Sequence, residues 1–217
     1  MTKLIILDFD GTLADTREII VRTNQEVQRR MGYPVTDEAG IMATVGYVLE
    51  ECILIMYPSQ SREQLPAWTA MYREVFDSLK GKIIPKLFPH VKETLEALSE
   101  RGFTITVASS RGTASLKDFL RDMGIAPFIN YVLGADDVKL PKPNPEPVLK
   151  TLRELGFDAS QALVVGDMPV DIQMGKTAGA MTCGVSFGNS SKDALLESGA
   201  HFVIDDFSEL LPLVTSN

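Results

Sequence analysis

The chain has 217 residues, 45% of them hydrophobic and 23% charged, a balance that fits a soluble globular protein with one sizeable core, or a core and a small insert. Its 29 acidic residues against 21 Lys and Arg give a formal net charge of -8, which argues against a general nucleic-acid binder. A small anionic substrate stays open, because a few local cations and a metal outweigh a global field. Cys52 and Cys183 stand far apart, in no metal-ligand spacing, and read as core or near-core thiols of a reducing compartment. No apolar run approaches the roughly 20 residues of a membrane span, and the first strand begins too early for a signal peptide. The expectation is a cytoplasmic enzyme with no membrane partner.

Leu4 to Leu7 is a short, branched aliphatic run that predicts a buried strand. Asp15 followed by Glu18 reads as an N-terminal capping pair. Ile20, Val27 and Met31 then share one helical face, stopped by Gly32 and Pro34. From Thr36 to about Lys82 the pattern stays helical, with a break at Pro58-Ser59 and a further helix through Trp68, Met71, Tyr72, Val75 and Phe76. From Pro85 onward, helices alternate with short apolar strands. The strands are expected at 104–108, near 131–133, at 162–165, at 182–185 and at 201–204. Asn144 as cap, Pro145 at the first position and Gly156 at the end frame one of the helices. This alternation predicts an α/β fold, a parallel sheet with helices on both faces. The division expected is an α/β core of residues 1–14 and 85–217, with an all-helical insert of residues 15–84 after the first strand.

In open parallel sheets, ligands bind beyond the carboxyl ends of the strands. Four of those ends carry chemistry here. After the first strand come Asp8 and Asp10, two carboxylates that need water, hydrogen bonds or a cation where a core strand stops. Gly11 lets the backbone approach a ligand, and a carboxylate can attack a phosphoryl group. After 104–108 come Ser109, Ser110, Arg111, Gly112 and Thr113, hydroxyls and free N–H groups at a helix start. After 131–133 comes Lys142, flanked by Pro141 and Pro143, which stiffen its backbone. After 162–165 come Asp167 and Asp171, four residues apart, about one helical turn. Taken singly, these are solvated acids, helix caps and a surface lysine. Their joint occurrence at the strand ends of one domain points to a site.

These residues resemble the haloacid dehalogenase superfamily. The resemblance rests on Asp8-Phe9-Asp10-Gly11-Thr12-Leu13, Ser109, Lys142-Pro143-Asn144-Pro145-Glu146-Pro147, and Gly166-Asp167 with Asp171. Their order and spacing cover most of the chain, and the helical insert looks like that superfamily's small cap. Ala43-Thr44-Val45-Gly46 and the Lys-Pro run look most like its phosphoglycolate-phosphatase branch. One departure is Met168-Pro169, where that branch more often has a small hydroxyl residue.

The resemblance implies that Asp8 attacks phosphorus and that Asp10 protonates the leaving alkoxide, then deprotonates water. It implies Mg²⁺ held by Asp8, the Asp10 carbonyl and Asp167, with Asp171 acting through a metal-bound water or by orienting Asp167. Ser109, the Ser110 backbone and Lys142 would hold the phosphoryl oxygens. Gly11, Thr12, Ser110 and Arg111 are the candidate substrate contacts; Arg111 either reaches a substrate carboxylate or lies on the surface. The expected partner is a small phosphorylated metabolite, with phosphoglycolate as the branch suggests. A pyrophosphatase or sugar phosphomutase would share the scaffold. A dehalogenase would lack Asp10. A phosphorylation-receiving signalling module would be shorter and without a cap.

Overall fold

A computed structural model describes residues 2–215. β1 (Leu4–Leu7) is buried at every position and lies in the middle of a six-stranded sheet. Its partners are β4 (Thr104–Ala108) on one side and β6 (Ala162–Gly166) on the other, both parallel. β5 (Tyr131–Leu133) extends the sheet beyond β4, and β7 (Met181–Val185) and β8 (Phe202–Ile204) extend it beyond β6. The order β5-β4-β1-β6-β7-β8 is doubly wound, and the winding reverses between β1 and β6. Alternate side chains of β1 explain the two helical layers. Ile5 and Leu7 enter one core with α5 (Val91–Glu100), α6 (Thr113–Asp122) and α10 (Leu210–Thr215). Leu4 and Ile6 enter a second core with α7 (Glu146–Leu155) and α8 (Pro169–Thr177). α9 (Lys192–Glu197) packs beside β7 and β8.

Between β1 and β4 the chain leaves the sheet through β2 (Ala14–Asp15) and returns through β3 (Lys86–Leu87). These two short strands pair antiparallel, Ala14 with Leu87 and Asp15 with Lys86. Four helices lie between them: α1 (Arg17–Arg30), α2 (Glu38–Met42), α3 (Leu49–Met56) and α4 (Leu65–Lys80). α1 packs along α4. Val27, Ile53, Leu65, Trp68 and Val75 form their own apolar cluster, in which Tyr33 and Tyr57 lie 4.9 and 5.4 Å from Trp68. Among the described residues, no helix is long and apolar enough to cross a membrane.

Asp15 and Glu18 do not form the expected capping pair. Asp15 belongs to β2, so Thr16 takes the cap position, and its hydroxyl turns away from the helix. The helical run after Thr36 is also broken earlier than Pro58. Gly46, at φ +102°, turns the chain between α2 and α3. The helix after Asn144 starts one residue later than expected, with Pro145 at the cap position and Glu146 first; the Asn144 side chain still accepts from the N–H of Glu146, and Gly156 closes the helix at φ +73°.

Candidate active site

The register places the site. Leu7 pairs with Val107 and Val165, so the next residues on all three strands emerge at one level. This is the carboxyl edge of the sheet, where the winding reverses. Phe9 is fully buried and packs 5.7 Å from Phe119, which anchors the turn between Asp8 and Asp10. The N–H groups of Thr12, Leu13 and Ala14 all donate to the Phe9 carbonyl and close that turn.

Asp8, Asp167 and Asp171 are buried, and one carboxylate oxygen of each lies within 4.8 Å of the others. Lys142, 2% exposed, reaches into this group. Its ammonium donates to Asp8 Oδ1 at 2.5 Å and to Asp171 Oδ1 at 2.7 Å. Burial works against the Lys142 charge, but Asp171 and Asp8 more than offset it and hold the pKa above the ordinary lysine value. Burial pushes the Asp8 carboxyl up to about 7, against the pull of Lys142. Burial also holds Asp167 well above the usual carboxylate range, and the charges of Asp8 and Asp171 add to it. Three carboxylates therefore face one ammonium. An all-oxygen, net-negative, buried cluster of this kind suits a hard divalent cation such as Mg²⁺.

Each acid has a distinct set of supports. Asp167 Oδ1 accepts from the Thr12 hydroxyl at 3.3 Å. Its Oδ2 accepts from the backbone N and the Nδ2 of Asn189, both at 2.8 Å. Asp171 divides its two oxygens between Lys142 and the N–H of Met168, which lies at the start of α8. Its hydrogen bonds run to the lysine and to the backbone. Met168-Pro169 does not disturb the acids, because the contact made at this point is through the backbone.

Asp10 faces the other way. Arg111 Nη2 and Nε donate to its two oxygens at 2.6 and 3.1 Å, and the Thr16 hydroxyl donates at 2.7 Å. The Arg111 side chain is 10% exposed and stacks near Phe9, Phe76 and Phe119. The surface position entertained for Arg111 is thus wrong: the charge of Asp10 and three aromatic rings draw it inward. Ser109 directly follows β4, is buried, and its Oγ accepts from the N–H of Arg111 at 3.2 Å. The Ser110 hydroxyl donates to the Gly46 carbonyl at 2.6 Å and ties this loop to the α2–α3 turn.

A cavity of about 780 Å³ opens above these residues. Asp8, Asp10, Ser109, Ser110 and Arg111 line one side, and Asn24, Tyr47 and Tyr72 line the helical side. Gly11 and Thr12, named as substrate contacts, are not on its wall. Thr12 is fully buried with its hydroxyl on Asp167. Gly11 adopts φ +90°, and a Cβ there would run into Asp167 and Asn189. Thr12 thus supports the acid with a hydrogen bond, and the bare Cα of Gly11 leaves room for it. Asn189 and Thr16 escaped sequence reasoning, and Gly46 and Phe76 were named only within a motif and a helix, without a place at the site. Only Asn189 carried a usable signal, since Ser186 to Asn189 follow β7 at the same edge of the sheet.

The family model for haloacid dehalogenase-like hydrolases matches residues 5–185. A protein of Dickeya dadantii described as a probable phosphatase, IndB, is 36% identical over 97% of this chain and 93% of its own. A phosphoglycolate phosphatase of Vibrio parahaemolyticus is 34% identical over 98% of this chain and 96% of its own. A solved haloacid dehalogenase-like family hydrolase of Streptococcus pneumoniae superposes with a TM-score of 0.85 at 22% identity, covering 99% of both chains, a likeness of fold.

Proposed function

The chain belongs to the haloacid dehalogenase-like hydrolases and is a phosphoric monoester hydrolase, and we propose that it cleaves a small metabolite phosphate with Mg²⁺ through a phosphorylated Asp8. The observation that carries this reading is the buried group of Asp8, Asp167 and Asp171 with Lys142 in its midst, at the edge where the sheet reverses. Phosphoglycolate is the first substrate to try, by similarity to the Vibrio enzyme. The place of action we assign is the cytoplasm.

In this reading the Asp8 carboxylate forms the new bond to phosphorus as the bond to the leaving oxygen breaks. Lys142 holds Asp8 in place and neutralises charge on the phosphoryl oxygens, together with the Ser109 hydroxyl and the Ser110 N–H. Asp10 gives a proton to the departing alkoxide and then takes one from the water that cleaves the acyl phosphate. Asp8, Asp167 and the Asp10 carbonyl would hold Mg²⁺, and Asp171 keeps Lys142 between the acids. Bound there, the cation would neutralise charge that develops on the transferring phosphoryl group. Residues 15–84 act as a cap over the core of 1–14 and 85–217, limiting bulk water at the cavity. Gly11 and Thr12 act through Asp167, not on the substrate.

A panel of small phosphate esters and pyrophosphate, with and without Mg²⁺, tests the proposal. One ester should turn over far faster than the rest, only with metal, and Asp8→Asn should abolish turnover. Full activity in Asp8→Asn would exclude the covalent route. A preference for pyrophosphate would move the assignment to a pyrophosphatase.

A further inference from the structure

We infer that Arg111 is a positioning residue for Asp10, aiming the carboxyl group that, when it carries a proton, gives it to the leaving oxygen, and that it does not bind the substrate. The inference rests on the proposed role of Asp10. Arg111 meets both Asp10 oxygens with Nη2 and Nε, the fork geometry that fixes a carboxylate in direction as well as distance. Its remaining nitrogen, Nη1, points to Ser115 Oγ at 3.4 Å. The guanidinium carbon lies 4.9 Å from the ring centre of Phe119, 5.2 Å from Phe76 and 5.9 Å from Phe9. A cation over these ring faces is held by their quadrupoles, and its planar fork is set before any substrate arrives. Every nitrogen therefore has a protein partner.

The alternatives are accounted for. Among the described residues, Arg111 is the one cation that pairs with Asp10. Lys142 serves Asp8 and Asp171, and Lys80 pairs with Asp118 at 2.9 Å. Arg73 lines the same cavity without an ion pair among the described residues, so a substrate carboxylate has another cation to meet. Phe76 lies on α4, so the helical segment completes the enclosure that holds the fork.

The consequence is a dependence on the leaving group. An alkyl phosphate needs a proton on its departing oxygen, whereas nitrophenolate leaves without one. The test compares p-nitrophenyl phosphate with the best alkyl ester in Arg111→Met, Arg111→Lys and Asp10→Asn. Arg111→Met should lower kcat for the alkyl ester at least about tenfold more than for the aryl ester, with KM little changed. Arg111→Lys should fail to restore the alkyl rate, because an ammonium is a point charge without a fork. It also supplies the comparison if the Met variant fails to fold. Asp10→Asn should show the same selective loss. Equal losses on both esters in the Arg111 variants would overturn the inference, as would a rise in KM confined to carboxylate-bearing esters. Absence of the selective loss in Asp10→Asn would instead overturn the role given to Asp10.

Discussion

Asn189 gives both its backbone and its side-chain N–H to one oxygen of Asp167, and so fixes the direction in which that acid faces the cluster. Partners of metal-binding carboxylates typically contribute 10–100-fold to affinity. Asn189→Ala should weaken Mg²⁺ binding by about that much, measured by calorimetry, while the fold persists. Lys142 is more demanding, because its loss leaves Asp8 and Asp171 buried without their ammonium. In metal-free protein, Lys142→Met should cost about 3–5 kcal/mol of stability in urea unfolding, the cost of breaking a buried pair. Asp8, Asp10 and Asp167 were legible from sequence because each stands just past a strand with a recognisable apolar run, Asp171 because it follows Asp167 by one helical turn, and Lys142 because prolines flank it. Asn189 was missed although its loop follows β7 at the same edge, because an amide in a Ser- and Gly-containing loop looks like any turn. Arg111 was misjudged because its burial depends on Phe76, which is distant in sequence and brought over it by α4.

At the scale of elements, the turn between α2 and α3 ties the helical segment to the sheet. Gly46 holds φ +102°, its carbonyl accepts from Ser110, and a Cβ there would meet Val170 at 2.9 Å. Gly46→Ala adds left-handed strain and a close contact, and should destabilise the protein by about 1–2 kcal/mol, read from its urea midpoint. The long strands and helices followed from the apolar pattern, since β1, β4 and β6 are buried at almost every position. The β2–β3 pair did not. Two residues carry no alternation, and pairing Asp15 with Lys86 depends on bringing together segments some seventy residues apart. That pairing also draws Asp15 out of the cap position, although its Oδ1 still accepts from the N–H of Arg17 at 3.2 Å.

For the whole molecule, the doubly wound sheet concentrates negative charge at one edge and leaves it only partly neutralised. The Asp8 pKa rises from 3.8 when unfolded to about 7 in the fold, so the folded state holds the proton more tightly. Without metal, this group's contribution to stability is lost as pH climbs from about 4 through 7. Mg²⁺ should therefore raise the melting temperature, and more at about pH 8 than at about pH 5, where protons compete for the same oxygens. Asp167→Asn should remove most of that gain. The central claim is that Asp8 itself carries the phosphoryl group. Its most direct test is to quench the enzyme during turnover, reduce with borohydride and map the product by mass spectrometry. The account predicts homoserine in place of Asp8, dependent on substrate and absent from Asp8→Asn. Rapid turnover with Asp8 unmodified and another residue labelled would contradict it.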